Sequence, residues 1–224
     1  MSKAPIAAVA AFAAMLLVFD PSGVRAANNP QLNAEVLRLS LDWEHIKFQV
    51  DNLDEQEKQL AVLAEHAADI ARRYPTAPEA MIWLGIVNSE QASIAGQNSS
   101  PFKALGFANR ARDILEKVEK IDPKTMDAGA PTSLGVLYYR VPGFPIGFGD
   151  KAKARKLLQE AIANAPNGLD ANYFYGDFLY EQQEYPEAIK VLKRALALPG
   201  HPDRPIWDRS RRLVIQELLA KMQK

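Results

Sequence analysis

The chain has 224 residues, 24% of them charged and 48% apolar, and its 27 Lys and Arg balance its 27 Asp and Glu. That is enough apolar mass for one sizeable core, while a formal net charge of zero leaves no electrostatic footprint for nucleic acid or an anionic membrane surface. With no cysteine in the chain, disulfides, thiolate nucleophiles, thiolate metal ligands and a lipid-bearing cysteine are all excluded.

At the start, Lys3 precedes an apolar run from Ile6 to Phe19, which Asp20, Pro21, Ser22 and Gly23 break before the small-residue ending Val24-Arg25-Ala26. This layout predicts a secretory signal peptide over residues 1–26, cleaved near Ala26, and a periplasmic mature protein. The apolar run falls short of the roughly twenty residues that span a bilayer, so no stable membrane anchor is expected.

Helical periodicity dominates the rest of the chain. Leu32, Val36, Leu39, Trp43, Ile46 and Val50 fall on one helix face, and Leu60, Leu63, Ala67 and Ile70 mark a second helix ending near Tyr74-Pro75. Thr76-Ala77-Pro78-Glu79 reads as a capping box. Ser100-Pro101 is another helix start, with proline where its missing N–H costs nothing. Asp150 stands ready to cap a helix from Lys151 to Asn164, and Asn167-Gly168 and Pro199-Gly200 supply breaks. No segment alternates with period two, so the fold class is all-α, with about nine helices joined by short turns.

An internal repeat organises these helices. Ala111-Leu115-Val118, Ala154-Leu158-Ala161 and Ala188-Leu192-Ala195 share one spacing, and Pro123 and Pro166 follow the first two at equal distance. Ahead of each triplet lies a helix carrying a glycine, at Gly85, Gly135 and Gly176. A glycine on helix A lets helix B approach, small residues on B receive its neighbour, and each pair leaves an apolar face that only the next pair covers. The pattern is similar to the tetratricopeptide repeat. Gly176 to Ala188 is twelve residues, but Gly135 to Ala154 is nineteen and Gly85 to Ala111 is twenty-six, which implies insertions between helices A and B of two repeats. The expected organisation is a single helical-hairpin solenoid over 27–224. It comprises a degenerate pair (30–74), repeats at about 77–123, 127–166 and 169–200, and a capping helix (206–222).

The insertion Val141-Pro142-Gly143-Phe144-Pro145-Ile146-Gly147-Phe148-Gly149-Asp150, together with Asn172-Tyr173-Phe174-Tyr175-Gly176, resembles the T-component (TatT) family associated with TRAP transporters. The resemblance is strongest from about Pro131 to Leu219. It implies a periplasmic repeat protein that assists a solute-binding protein, and a homo-oligomer, a trimer, as the assembly.

On such a solenoid the helix A residues offset from the packing positions line the concave face. These are Ile82, Ile86 and Ser89 in the first repeat, Thr132, Val136 and Tyr139 with Arg140 in the second, and Tyr173, Asp177 and Tyr180 in the third. Tyrosines with a few charges suit a partner protein's surface. The loop residues Phe144, Ile146 and Phe148 form a second candidate, a lid over a small apolar ligand, which would require a closed pocket beneath Phe144 and Phe148. His45, His66 and His201 lie in separate segments without partners at ligand spacing. No phosphate-binding loop, nucleophile elbow or zinc motif occurs. The reading is therefore a binding scaffold without cofactor, and not an enzyme.

Overall fold

The computed structural model describes residues 29–222; the segment assigned to the signal peptide lies outside them. The described residues form nine helices: α1 (Pro30–Gln49), α2 (Leu53–Arg73), α3 (Pro78–Gln97), α4 (Pro101–Ile121), α5 (Thr125–Arg140), α6 (Lys151–Asn164), α7 (Leu169–Glu181), α8 (Tyr185–Leu196) and α9 (Pro205–Lys221). Apart from a lone bridge between Gly143 and Gly149, no strand occurs among them. None of these helices is long and apolar enough to cross a membrane.

Local chemistry sets most of the boundaries. Asn29 caps α1 by accepting from the amides of Gln31 and Leu32, both at 3.1 Å. Asn52 accepts from Glu55, and Asp150 accepts from the Lys153 amide at 2.9 Å, each satisfying an orphan donor of its first turn. The capping box expected at Thr76 does not form. The cap of α3 is Ala77, in extended conformation with no side-chain bond, and Pro78 is the first helical residue. The cause is Pro78 itself: a residue before proline is driven away from helical angles, so Ala77 cannot be inside the helix. The start shifts by one, and Glu79 loses the position from which it would reach back.

Three hairpins, α3–α4, α5–α6 and α7–α8, follow one packing rule. All nine triplet residues on the second helices are fully buried. The central leucine of each triplet lies against the glycine of its partner helix. A Cβ on Gly85 would stand 2.6 Å from Leu115, and one on Gly135 or Gly176 would stand 2.5 Å from Leu158 or Leu192. The glycines therefore define how closely the helices of each pair meet.

The two insertions take different forms. Between α5 and α6 it is the loop 141–150. Between α3 and α4 there is no added loop: both helices are longer, at 20 and 21 residues against 13 and 12 in α7 and α8. The turn itself is unchanged. Ser99 and Gln183 both take a left-handed φ, 55° and 63°. In each case the next amide reaches back across the helix end, Ser100 to Ala95 and Glu184 to Leu179, as in a Schellman cap. Seven residues are close to two helical turns, so adding seven to each arm moves the turn outward and keeps every face in phase.

A left-handed turn interrupts the start of α5. Met126, Asp127 and Ala128 have φ of 54°, 52° and 59°, a conformation that costs roughly 1–2 kcal/mol for each non-glycine residue. Burial of Ala128 and packing of Met126 against both major core clusters offset that cost.

The last helix does more than cover the end of the solenoid. Arg209, Gln216 and Lys221 face solvent, but Arg212 turns back onto the carbonyls of Leu196, Leu198 and Pro199. The opposite face of α9 reaches α1. The carboxylate of Glu44 on α1, fully buried, accepts from Arg204 Nε at 2.5 Å and from the Trp207 amide at 3.2 Å. Among the described residues the first and last helices are thereby joined, and the concave groove becomes a deep, partly open cavity.

Candidate binding cavity

The space bounded in this way is a cavity of about 1170 Å³. Its walls come from α1, α3, α4, α5, α7, α9 and the loop after α5. Thr132, Val136, Arg140 and Tyr173 line it, as do Ile82, Ile86 and Ser89. Tyr139, Asp177 and Tyr180 do not. Tyr139 donates its hydroxyl to Asp177 Oδ2, and Arg140 Nη2 meets the same oxygen at 2.8 Å. This network ties α5 to α7 behind the cavity wall. Burial holds the Tyr139 hydroxyl well above the ordinary tyrosine range, so it stays a donor. Tyr180 packs on Tyr185 instead. The Thr132 hydroxyl is buried without a partner.

The loop contributes its prolines and Ile146 rather than its phenylalanines. Pro142, Pro145 and Ile146 border the cavity. Phe144 is 94% exposed, and Ile146 70%. Phe148 turns the other way, edge-on to Tyr138 at 5.3 Å, with the Arg112 guanidinium 4.5 Å above its ring. Phe144 and Phe148 therefore do not cover one pocket together, and the cavity is bordered by the loop's Pro142, Pro145 and Ile146 instead. Close backbone contact explains why the loop needs its glycines: a Cβ on Gly147 would stand 2.6 Å from the Pro142 carbonyl, and one on Gly149 would overlap that of Val141. The extended tip of α3–α4 abuts this loop, and Phe102 at that tip is 91% exposed while bordering the cavity. The two insertions thus build one apolar rim.

Sequence reasoning missed the other half of the site. All three tryptophans, Trp43, Trp83 and Trp207, line the cavity, with Arg204 just before α9, Arg211 on α9 and Asp170 on α7. Arg211 Nε meets Asp170 Oδ1 at 2.7 Å, while the Trp207 indole donates to Asp170 Oδ2 at 3.1 Å. Arg211 also lies over Tyr173, 4.2 Å from the ring centroid, and Arg204 over Trp207 at 4.4 Å. Burial pushes the Tyr173 hydroxyl above its usual pKa. A signal was present: Trp207, Arg211 and Ile215 share one helix face, and an arginine within an apolar stripe asks for a buried partner. Among the described residues no cluster of His, Asp or Glu could hold a metal ion.

These features agree with comparisons to known proteins. A family model described as tetratricopeptide repeat matches residues 146–205, the span from the loop through α6, α7 and α8. Of solved structures, TTC0263, a thermophilic TPR protein of Thermus thermophilus, is similar over 84% of this chain and 89% of its own, at 20% identity and a TM-score of 0.54. Yeast Tom70 aligns with 87% of this chain over 44% of its own length, at 16% identity and a TM-score of 0.40. No curated protein matches. The chain has a tetratricopeptide-type helical-repeat fold, with the repeat itself matched over residues 146–205.

Proposed function

We propose that this scaffold is an exported accessory binding protein, whose cavity holds an apolar solute and whose apolar rim docks the protein with which that solute is exchanged. The observation that carries the proposal is the closure of the solenoid by Glu44, Arg204 and Trp207. An open solenoid offers a groove to an extended segment, whereas one bridged from first to last helix offers a deep cavity with mainly apolar walls and an open mouth, the form taken by small-molecule sites. The exposed Phe102, Phe144 and Ile146 give that volume a sticky mouth, and exposed apolar clusters mark interaction sites.

The resemblance of the loop and α7 to the TRAP-transporter T-component family supports a periplasmic solute-binding protein as the partner, and homo-oligomers as the competing use of the rim. The test is light scattering of the purified protein, alone and with a TRAP-type solute-binding component. A complex of fixed stoichiometry that is lost in Phe102→Ser/Phe144→Ser, at unchanged Tm, is the expected result. A complex indifferent to both substitutions would refute docking at the rim. Sequencing the amino terminus of the exported protein tests cleavage near Ala26.

A further inference from the structure

The chemistry of the cavity wall specifies the solute further, granted that the cavity is a binding site. Four cations line it, and each already has a carboxylate: Lys47 with Glu90, Arg140 with Asp177, Arg204 with Glu44 and Arg211 with Asp170. Asp127 adds another carboxylate to the lining. The wall therefore carries no positive excess to attract an anion.

What it carries in excess is hydrogen-bond donors. A guanidinium has five N–H groups. Among the described residues, Arg204 and Arg211 each donate only from Nε, which leaves the Nη groups of both without an acceptor there. Arg211 is only 5% exposed, so those donors face little but the cavity. The indole N–H groups of Trp43 and Trp83 are buried without acceptors as well. These donors gather around Trp207. Arg204 lies over the Trp207 and Trp83 rings, Trp83 meets Trp43 edge-on, and Trp207 shares Asp170 with Arg211. Across the cavity, the α3–α4 tip and the loop supply Phe102, Leu105, Pro145 and Ile146, with no charge among them.

We infer that the solute is a neutral amphiphile: an apolar body, lying against the α3–α4 tip and the loop, that ends in an acceptor oxygen such as an ester or ketone carbonyl. The carbonyl sits at the Nη groups of Arg211 and Arg204. A carboxylate would find the same donors but also the carboxylates already paired with them, Asp170 and Glu44, in a poorly screened site. A plain hydrocarbon would leave buried donors unpaired, and that loss decides selectivity more strongly than an added methylene does.

The test is a titration of the purified protein with methyl dodecanoate, dodecanoate and dodecane, read by tryptophan fluorescence, because every tryptophan lines the cavity. The ester is expected to bind about tenfold or more tighter than either of the others, the discrimination of one hydrogen bond to a charged donor. In the double variant Asp170→Asn/Arg211→Met, which removes both members of the pair, the advantage of the ester over dodecane should shrink while dodecane binding persists. The comparison of probes on the native protein stands even where that variant fails to fold. Tightest binding by dodecanoate would overturn the inference in favour of an anion site. Equal binding of ester and dodecane would overturn it and leave the cavity reading intact, whereas failure of all three would sink both.

Discussion

Replacing Gly176 by Ala and, separately, Gly106 by Ala makes the same chemical change inside two helices, with opposite expected signs. Alanine is favoured over glycine in a helix interior by about 0.8–1.0 kcal/mol. Nothing lies within 4 Å of a Cβ at the exposed Gly106, so that variant should gain about 0.5–1 kcal/mol. At Gly176 the new methyl would stand 2.5 Å from Leu192 Cδ2 and 2.6 Å from Cγ, against an optimum of about 3.5–4.0 Å for carbon pairs. Leu192 is fully buried, so the clash can be relieved only by parting α7 from α8. Overpacking of this kind costs about 1–3 kcal/mol. Set against the propensity gain, Gly176→Ala should lose about 0.5–2 kcal/mol. Urea unfolding followed by circular dichroism reads the difference as a shift in midpoint at constant slope. For a chain of this size, thermal midpoints should move about 2–4 °C per kcal/mol. If Gly176→Ala stabilises as much as Gly106→Ala does, the close approach of paired helices at the repeat glycines is refuted.

The closure and the strained turn carry further expectations. Glu44→Ala deletes a fully buried carboxylate that holds Arg204 and the Trp207 amide. It should cost about 2–4 kcal/mol, reduced from the full cost of a broken buried pair because Arg204 keeps some contact with solvent. Hydrogen exchange should rise first in α1 and α9. Asp127→Gly relieves a left-handed residue at φ 52° and should stabilise by about 0.5–1 kcal/mol in the same urea assay, the backbone gain exceeding the entropy that glycine adds to the unfolded chain. Asp208 is held below the usual carboxylate range by the Arg212 guanidinium, which also clasps the end of α8. Its folded pKa lies below its unfolded one, so its stabilising contribution is complete above the ordinary aspartate pKa and is lost as pH falls through the depressed value. Asp208→Asn should flatten that acidic limb of the stability profile and leave the neutral-to-alkaline part parallel to the native protein's.

The repeat was legible in the sequence because its physics is local. A glycine that must admit a leucine, and a triplet that must be small on one face, recur at fixed spacing, and the hairpins follow. The fourteen residues between Gly85 and Ala111 beyond the usual twelve were legible as an insertion but not as two helix extensions. The clue lay in Asn98-Ser99-Ser100 serving as the same turn as Gln182-Gln183-Glu184, a likeness of backbone that the side chains do not share. The cap at Ala77 instead of Thr76 was decidable from Pro78, which the capping-box pattern overrides only on paper. Closure was not legible. Contact between α1 and α9 depends on the small rotation of each hairpin against the next, summed around the solenoid, and no single segment encodes that sum. Half of the cavity wall therefore escaped sequence reasoning. Tyr139 and Asp177 fell on the other side of it because their hydrogen bond turns both side chains toward the α5–α7 seam.

The central claim is that the cavity between α1 and α9 and the repeat helices is where this protein binds. Val136 projects from α5 into that space and is only half-buried, so Val136→Trp should fill it without disturbing the helix pairs. The most direct measurement is a titration of native protein and Val136→Trp with the neutral dye N-phenyl-naphthylamine, alongside their thermal midpoints. One saturable site in the native protein, abolished in a variant that melts at the same temperature, is the expected result. Equal dye binding by the two proteins, or none by the native one, would contradict the account.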